Sequence, residues 1–179
     1  MSTPVVASDP RYPIGKFHYD GPFTQAQIAG MIQVIAEAPQ QLRAALARLN
    51  NTQLDTPYRD GGWTVRQTVH HFADSHMNSF IRFRLALTED KPTIKPYDEK
   101  LWAELPDSKE PVEVSLKLVE ALHHRWVAMM KAFKPEDWQR TMVHPDRGEI
   151  SCEFNLAIYA WHCKHHVAHI TELRKRKGW

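Results

Sequence analysis

The chain has little of what marks a secreted or membrane-bound protein. Its 179 residues include two cysteines, Cys152 and Cys163, which form no C-x-x-C motif. So few cysteines indicate free thiols in a reducing compartment rather than a disulfide framework. No run approaches the roughly 20 apolar residues of a membrane span, and residues 1–12 lack the basic and apolar segments of an export signal. We therefore expect a cytoplasmic protein with no membrane partner.

The sequence also lacks a large excess of either positive or negative charge. The sequence has 23 basic and 21 acidic residues, a net charge of +2. A nucleic-acid surface needs a clear basic excess or a basic stripe. The one basic run, residues 174–177, ends a predicted helix, where cations interact favourably with the helix dipole. We expect no nucleic-acid partner.

Apolar residues recur at helical spacing in four long segments, and no segment shows the alternation of a convincing strand. The predicted helices span residues 24–50, 64–88, 112–133 and 151–177. Thr24 with Gln27 and Thr64 with Gln67 are capping-box signatures at the first two helix starts. Pro39 is expected to kink or interrupt the first helix. On the second helix we expect burial of Val65, Val69, Phe72, Phe80 and Ile81.

The segments between these helices are long for a helical bundle. Residues 1–23 are predicted to form an extended N-terminal arm, and 141–150 a loop, because it holds a proline and a glycine. The 89–111 connection exceeds ordinary bundle loops, which is typical of functional segments. The prediction is an all-α, four-helix bundle forming one domain over residues 1–179. Its pocket is expected to be shaped by the segments 51–63 and 89–111.

Histidine is the residue type with the most informative pattern. Four of the 11 histidines lie within eight positions. His162 and His166 are four residues apart, and so are His165 and His169, so each pair lies on one face of a helix. Two imidazoles stacked in this way are two of the ligands that a transition-metal site needs.

A third ligand has to come from another helix. His70 and His71 lie on the 64–88 helix, and sites built from inward side chains on facing helices are common in bundles. Three imidazoles suit zinc, nickel, iron or cobalt, and three protein ligands with an open position are typical of a catalytic site. Helical spacing leaves open which of His70 and His71 binds, and which of the two later pairs.

Other polar residues are candidates for supporting roles. Asp74 follows His71 by one helical turn, where its carboxylate is a candidate hydrogen-bond partner for a ligand imidazole. His123 and His124 are adjacent on a helix, so at most one of them faces the core. His144 lies in a predicted loop and is interpreted as a surface residue.

Several of these residues belong to longer motifs. The motifs are LDTPYRDGGWTVRQ at 54–67, the His70-His71 pair, DSHMN at 74–78, YDEK at 97–100 and HITEL at 169–173. In this order they resemble the YfiT-like branch of the DinB superfamily, over nearly the whole chain from residue 12 to residue 179.

The resemblance implies a four-helix bundle, expected to be a homodimer, with one divalent metal held by three histidines. The matching motifs imply His71, His162 and His166 as the ligands, with zinc or nickel as the expected metal. Four weaker candidates for catalytic roles come from the motifs and helix spacing: Asp74, His76, Arg82 and Tyr58.

The resemblance also implies a choice of chemistry. The family members are described as metal-dependent hydrolases, so hydrolysis of a small-molecule substrate is the first expectation. Related bundles transfer a low-molecular-weight thiol such as bacillithiol or mycothiol. A three-histidine metal serves both, since it can lower the pKa of a water molecule or bind a thiol as thiolate. The rival is a non-catalytic bundle with a structural or sensing metal, which would lose its fold on chelation.

Overall fold

The computed structural model describes residues 9–179, which are mainly helical. Of the predicted N-terminal arm, residues 1–8 lie outside the described residues, and 9–23 contain no helix or strand. The elements in chain order are α1 (Gln25–Leu46), α2 (Asn51–Leu54), α3 (Val65–Thr88), α4 (Glu99–Ala103), α5 (Val112–Lys131), β1 (Thr141–His144), β2 (Gly148–Ser151) and α6 (Cys152–Lys177). Short 3₁₀ turns precede α5 and β1, at Pro106–Lys109 and Pro135–Gln139.

The helix ends follow the local signals in the sequence. Thr24 and Thr64 each accept a hydrogen bond from the backbone N–H three residues later, and the side chains of Gln27 and Gln67 reciprocate, so both capping boxes are confirmed. Gly178, at φ +70°, adopts the left-handed conformation that ends α6. Local signals therefore set where α1 and α3 begin and where α6 ends.

Pro39 was expected to kink or interrupt α1; it lies inside the helix without interrupting it, so that alternative is wrong. A proline has no backbone N–H, and the carbonyl four residues earlier therefore loses its usual helical donor. That carbonyl belongs to Ile35, and it accepts a hydrogen bond from Nδ1 of His123 on α5 at 2.6 Å. The side chain of another helix thus replaces the donor that Pro39 lacks.

The four long helices form a bundle in which α1 packs against α5 and α6, and α3 also packs against α5 and α6. Consecutive long helices α1 and α3 are therefore diagonal rather than adjacent. This arrangement makes α3 and α6 neighbours, although more than sixty residues separate them in the sequence. The two helices with the histidine pairs consequently face each other.

The core is continuous between these helices and includes Phe72, Phe83 and Trp126, all with no exposed surface. Four of the five residues expected to be buried on α3 are so, whereas Ile81 is 48% exposed. Phe80 and Phe83 occupy the inward stripe, and Ile81 is rotated by about 100° from Phe80 on the helix. The apolar character of Ile81 was therefore misleading.

The segment 141–150, expected to be a loop, contains a β-hairpin instead. Thr141 pairs with Ser151 and His144 with Gly148 in antiparallel register. Three residues connect the strands, and Gly148, the first residue of β2, has φ +73°, a left-handed conformation that glycine adopts without steric cost. Met142 and Ile150 point inward and are buried. The strands are too short for their alternation to be recognised in the sequence.

The hairpin and the 9–23 segment both pack against the bundle. The Ile94 N–H donates to the carbonyl of Val143 at 3.0 Å, which attaches the long α3–α5 connection to β1. Tyr19 donates its hydroxyl hydrogen to buried Glu153 on α6 at 2.7 Å, and Phe17 packs edge-on against Phe154. Within residues 9–179, no helix is long and apolar enough to cross a membrane.

Candidate metal centre

Three histidines converge where α3 faces α6. His71, His162 and His166 each offer a ring nitrogen, and these three nitrogens lie within 4.8 Å of one another. Their ring centroids are 5.5 Å apart for His71–His162, 4.9 Å for His71–His166 and 4.3 Å for His162–His166. These are the three positions that the family motifs indicate, brought together by the helix arrangement.

The donor set fits a divalent transition metal. Desolvation, and after it the charge of His165, lowers the pKa of His71 to about 4, and burial lowers the pKa of His162 and His166 well below 6.5. All three rings therefore keep a lone pair at neutral pH, as ligation requires. Nδ1 of His166 is buried without a hydrogen-bond partner. Zn–N bonds of about 2.0–2.1 Å would hold two nitrogens about 3.4 Å apart, and the upper limit of 4.8 Å among the three nitrogens is compatible with that separation.

His70 is held away from this cluster by two hydrogen bonds. Its Nδ1 lies 2.7 Å from the hydroxyl of Ser115, and its Nε2 lies 3.0 Å from the carbonyl of Glu110. Because the carbonyl can only accept, Nε2 of His70 carries the proton and Nδ1 accepts from the serine. Both nitrogens are occupied, so His70 has a structural role at the α3–α5 contact.

His165 and His169 form a second aromatic group on α6. His165 stacks on Trp161 at 4.2 Å, and His169 stacks on Tyr58 at 4.0 Å. Nε2 of His169 also lies 3.3 Å from the carbonyl of Arg11 in the N-terminal segment. Tyr58, one of the four catalytic candidates, therefore packs against a histidine outside the three-histidine cluster.

Two further histidines lie behind His162, inside the core. His76, a catalytic candidate, has no exposed surface, and its Nε2 lies 3.0 Å from Nδ1 of His162. Its Nδ1 lies 2.8 Å from Nε2 of His123. His123 is thus the inward member of the pair on α5, whereas His124 is exposed.

A cleft of about 520 Å³ opens beside the cluster, and His162 forms part of its wall. Its polar lining includes Ser75, Arg82, Tyr97, His144, Tyr159 and His162. Among the four catalytic candidates, Arg82 is the one that lines this cleft. The 89–111 connection contributes as expected, but the hairpin takes the place of the 51–63 segment. His144 is therefore a cleft residue rather than a loop surface residue.

Ser75 and Tyr159 lie beside His162, although neither was among the predicted site residues. Oγ of Ser75 lies 3.4 Å from Nε2 of His162 and 3.1 Å from the hydroxyl oxygen of Tyr159. Tyr159 donates to the backbone carbonyl of Ser75 at 3.1 Å, and burial raises its pKa above the ordinary value. Ser75 lies within the DSHMN motif, so a signal was present in the sequence, but only the packing of α3 on α6 places it beside His162.

Asp74 does not support a ligand imidazole as the spacing suggested. In the described part of the chain its carboxylate hydrogen-bonds to neither His70 nor His71; both nitrogens of His70 have other partners. The carboxyl group is half-buried, and desolvation, followed by the charge of Asp107, raises its pKa to about 6. Its burial therefore opposes the charged form at neutral pH.

We expect Asp74→Asn to stabilise the protein at pH 7 and to have no such effect near pH 4. The folded state holds the Asp74 proton more tightly than the unfolded chain, so stability falls as pH rises from about 4 to about 6, and the cost is complete above that window. Solvent screening reduces the gain to about 1 kcal/mol. Thermal melts of both proteins at pH 4 and pH 7 test this; an equal difference at both values would contradict it.

The fold and the cluster together define a class: four-helix bundles in which facing helices bring three histidines to one point. The chain belongs to the DinB superfamily, whose family pattern it matches over residues 35–170. The resemblance in the sequence motifs is therefore confirmed.

Similar proteins carry a consistent description. A protein of Bacillus cereus strain AH820, named "Putative metal-dependent hydrolase", is 57% identical over 172 residues, covering 96% of this chain and 99% of its own. An Oceanobacillus iheyensis protein of the same description is 56% identical over 169 residues, covering 94% of this chain and 98% of its own.

Two solved structures match the fold. YfiT from Bacillus subtilis, described as a probable metal-dependent hydrolase with an unusual four-helix bundle topology, is 50% identical with a TM-score of 0.93, covering 95% of this chain and 98% of its own. The four-helix bundle protein TT2238 is 21% identical with a TM-score of 0.54, over 78% of this chain and 94% of its own. The prediction of an all-α four-helix bundle is confirmed.

Proposed function

We propose that this protein is a metal-dependent hydrolase that binds one divalent metal through His71, His162 and His166. The observation that carries the proposal is the convergence of three ligand nitrogens within 4.8 Å, with His162 in the wall of a cleft. The names of the relatives that cover nearly the whole chain agree with it. Zinc or nickel is the metal that we propose, since neutral imidazoles suit both.

Each part of the site has a separate role in this proposal. The bound metal supplies Lewis acidity, which lowers the pKa of a water molecule and polarises the bond to be cleaved. The chain would supply three ligands, of which His162 lies in the cleft wall, and a site with three protein ligands typically keeps one position for water or substrate. The hydroxyl groups of Ser75 and Tyr159 lie beside His162 and would orient a polar group of the substrate.

The side chains that line the cleft support a proposal about the substrate. Arg82 and Arg147 contribute guanidinium groups, and Glu99 and Asp146 contribute carboxylates. A lining with both charges and several hydroxyl groups suits a small polar molecule rather than an extended apolar one. We propose that Arg82 orients that substrate. Its guanidinium group donates a hydrogen bond to the carbonyl of Lys95, between α3 and α4, at 3.5 Å.

Hydrolysis is tested on the metal-loaded protein with a panel of ester, amide and lactam substrates. We expect turnover of at least one class, its loss with EDTA, and its recovery when zinc or nickel is added back. The same substrates are incubated without the metal-loaded protein, and separately with the His166→Ala variant, to give the background rate.

A parallel assay separates hydrolysis from thiol transfer. Monochlorobimane is incubated with the metal-loaded protein, with and without low-molecular-weight thiols including bacillithiol. Acceleration that requires a thiol, together with no turnover in the hydrolysis panel, would replace the hydrolase proposal with an S-transferase. Loss of the helical circular dichroism signal on chelation at room temperature would instead indicate a structural metal.

A further inference from the structure

A single row of hydrogen bonds crosses the bundle from α1 to the metal cluster. It runs from the Ile35 carbonyl to Nδ1 of His123 at 2.6 Å, from Nε2 of His123 to Nδ1 of His76 at 2.8 Å, and from Nε2 of His76 to Nδ1 of His162 at 3.0 Å. These four residues lie on α1, α5, α3 and α6, in that order. All four long helices therefore contribute to one polar path.

The first bond of the row determines where the protons lie. The Ile35 carbonyl has no donor from its own helix, because residue 39 is a proline. A carbonyl can only accept, so Nδ1 of His123 carries a proton and donates it. His123 has 1% of its surface exposed and hydrogen-bonds to no carboxylate in the described residues, so it is neutral and its Nε2 accepts.

The other two hydrogen bonds of the row are constrained in the same way. Since Nε2 of His123 accepts, Nδ1 of His76 is the donor, and the fully buried, neutral His76 then accepts through Nε2. Nδ1 of His162 is therefore the donor of the third bond. The lone pair of His162 is left on Nε2, the nitrogen that faces Ser75 and the cleft rather than the core.

We propose that His76 and His123 are positioning residues that fix the tautomer of His162, and so direct its Nε2 lone pair to the metal. The starting point of this control is the backbone carbonyl that Pro39 leaves free. Stacking supports the row, since His76 lies 3.9 Å from Phe72 and 4.9 Å from His123, with interplanar angles of 19° and 8°. The metal part of this inference rests on the proposed ligation by His162.

The first test is the tautomeric state of the metal-free protein, measured by long-range proton–nitrogen NMR on a sample with ¹⁵N-labelled histidine. We expect His123, His76 and His162 all to carry the proton on Nδ1. A proton on Nε2 of His76 or His162 would overturn the inference. This measurement needs neither metal nor turnover, so it stays informative if the protein proves not to be a hydrolase.

The second test compares zinc affinity for three variants. His123→Phe keeps a ring in the core but has no acceptor for His76, whereas His123→Gln keeps an amide oxygen that can accept. His124→Gln is the matched control, because it is adjacent but exposed. We expect His123→Phe to bind zinc about 10–100-fold more weakly, His123→Gln to retain most of the affinity, and the control to match wild type.

The order of the zinc affinities of His123→Phe and His123→Gln shows whether His123 positions His76 or only fills space. If His123 only filled space, phenylalanine would replace its ring better than glutamine, and the order of zinc affinities would reverse. A folded His123→Phe variant with wild-type affinity and the wild-type His162 tautomer would also overturn the proposal. Mixed protonation of His162 in His123→Phe, with a single tautomer in His123→Gln, would support it.

Discussion

His166→Ala should abolish stoichiometric metal binding while leaving the helical bundle folded. Wild-type protein is expected to bind about one zinc or nickel ion per chain. The variant is expected to bind zinc at least about 100-fold more weakly, because the loss of a ligand should exceed the 10–100-fold typical when a residue supporting a ligand is changed. Metal content by mass spectrometry and zinc affinity by chelator competition measure the effect.

The matched control for this variant is His165→Ala, one position earlier on the same helix. His165 is also buried, but its ring stacks on Trp161 rather than joining the three-histidine cluster. We expect it to keep its metal. Equal metal loss in both variants would mean that α6 tolerates no alanine there, and metal retained by folded His166→Ala would reject the proposed ligand set. Circular dichroism should show that both proteins remain helical, because the apolar core does not include the metal.

Phe83→Ala is expected to have the largest effect on stability. Phe83 has no exposed surface, and its ring centroid lies 5.7 Å from Trp126, 6.0 Å from Phe133 and 6.5 Å from Trp138. Truncation removes these contacts and leaves a cavity that the surrounding rings cannot fill. The expected cost is about 3–5 kcal/mol, which for a chain of this size lowers the melting temperature by roughly 6–20 °C.

Ile81→Ala, on the same helix, provides the comparison. Ile81 is 48% exposed, so its truncation should change the free energy of unfolding by no more than about 0.5 kcal/mol. Urea unfolding of both variants at one pH, with metal removed, gives the two values. Similar losses for the two variants would show that the inward face of α3 is wrongly assigned.

The positions of the long helices were predictable from the sequence because their determinants are local. The capping boxes at Thr24 and Thr64 and the left-handed glycine at Gly178 each involve residues within a single turn. The hairpin at Thr141–Ser151 was not predictable in this way. Its four-residue strands are stabilised by burial of Met142 and Ile150 and by pairing with the α3–α5 connection, contacts that no local pattern records.

The candidate site shows the same division. Spacing placed His162 and His166 on one helix face, and the family motifs indicated His71, but spacing alone did not exclude His70. The hydrogen bonds of His70 to Ser115 and Glu110 do so in the folded chain. Similarly, His76 was a candidate for a catalytic role, whereas the structure buries it completely behind His162.

The sequence by itself determined the helical class, the family and the residues offered for metal binding, because these depend on periodicity, on turn signals and on motifs read along the chain. Only the tertiary structure decided which helices are neighbours. By placing α1 diagonally across from α3, it brings His71 to the α6 histidines and carries a row of hydrogen bonds from Ile35 to His162. The physical reason is that these contacts join residues far apart in the chain, and packing of the core alone brings them within hydrogen-bonding distance.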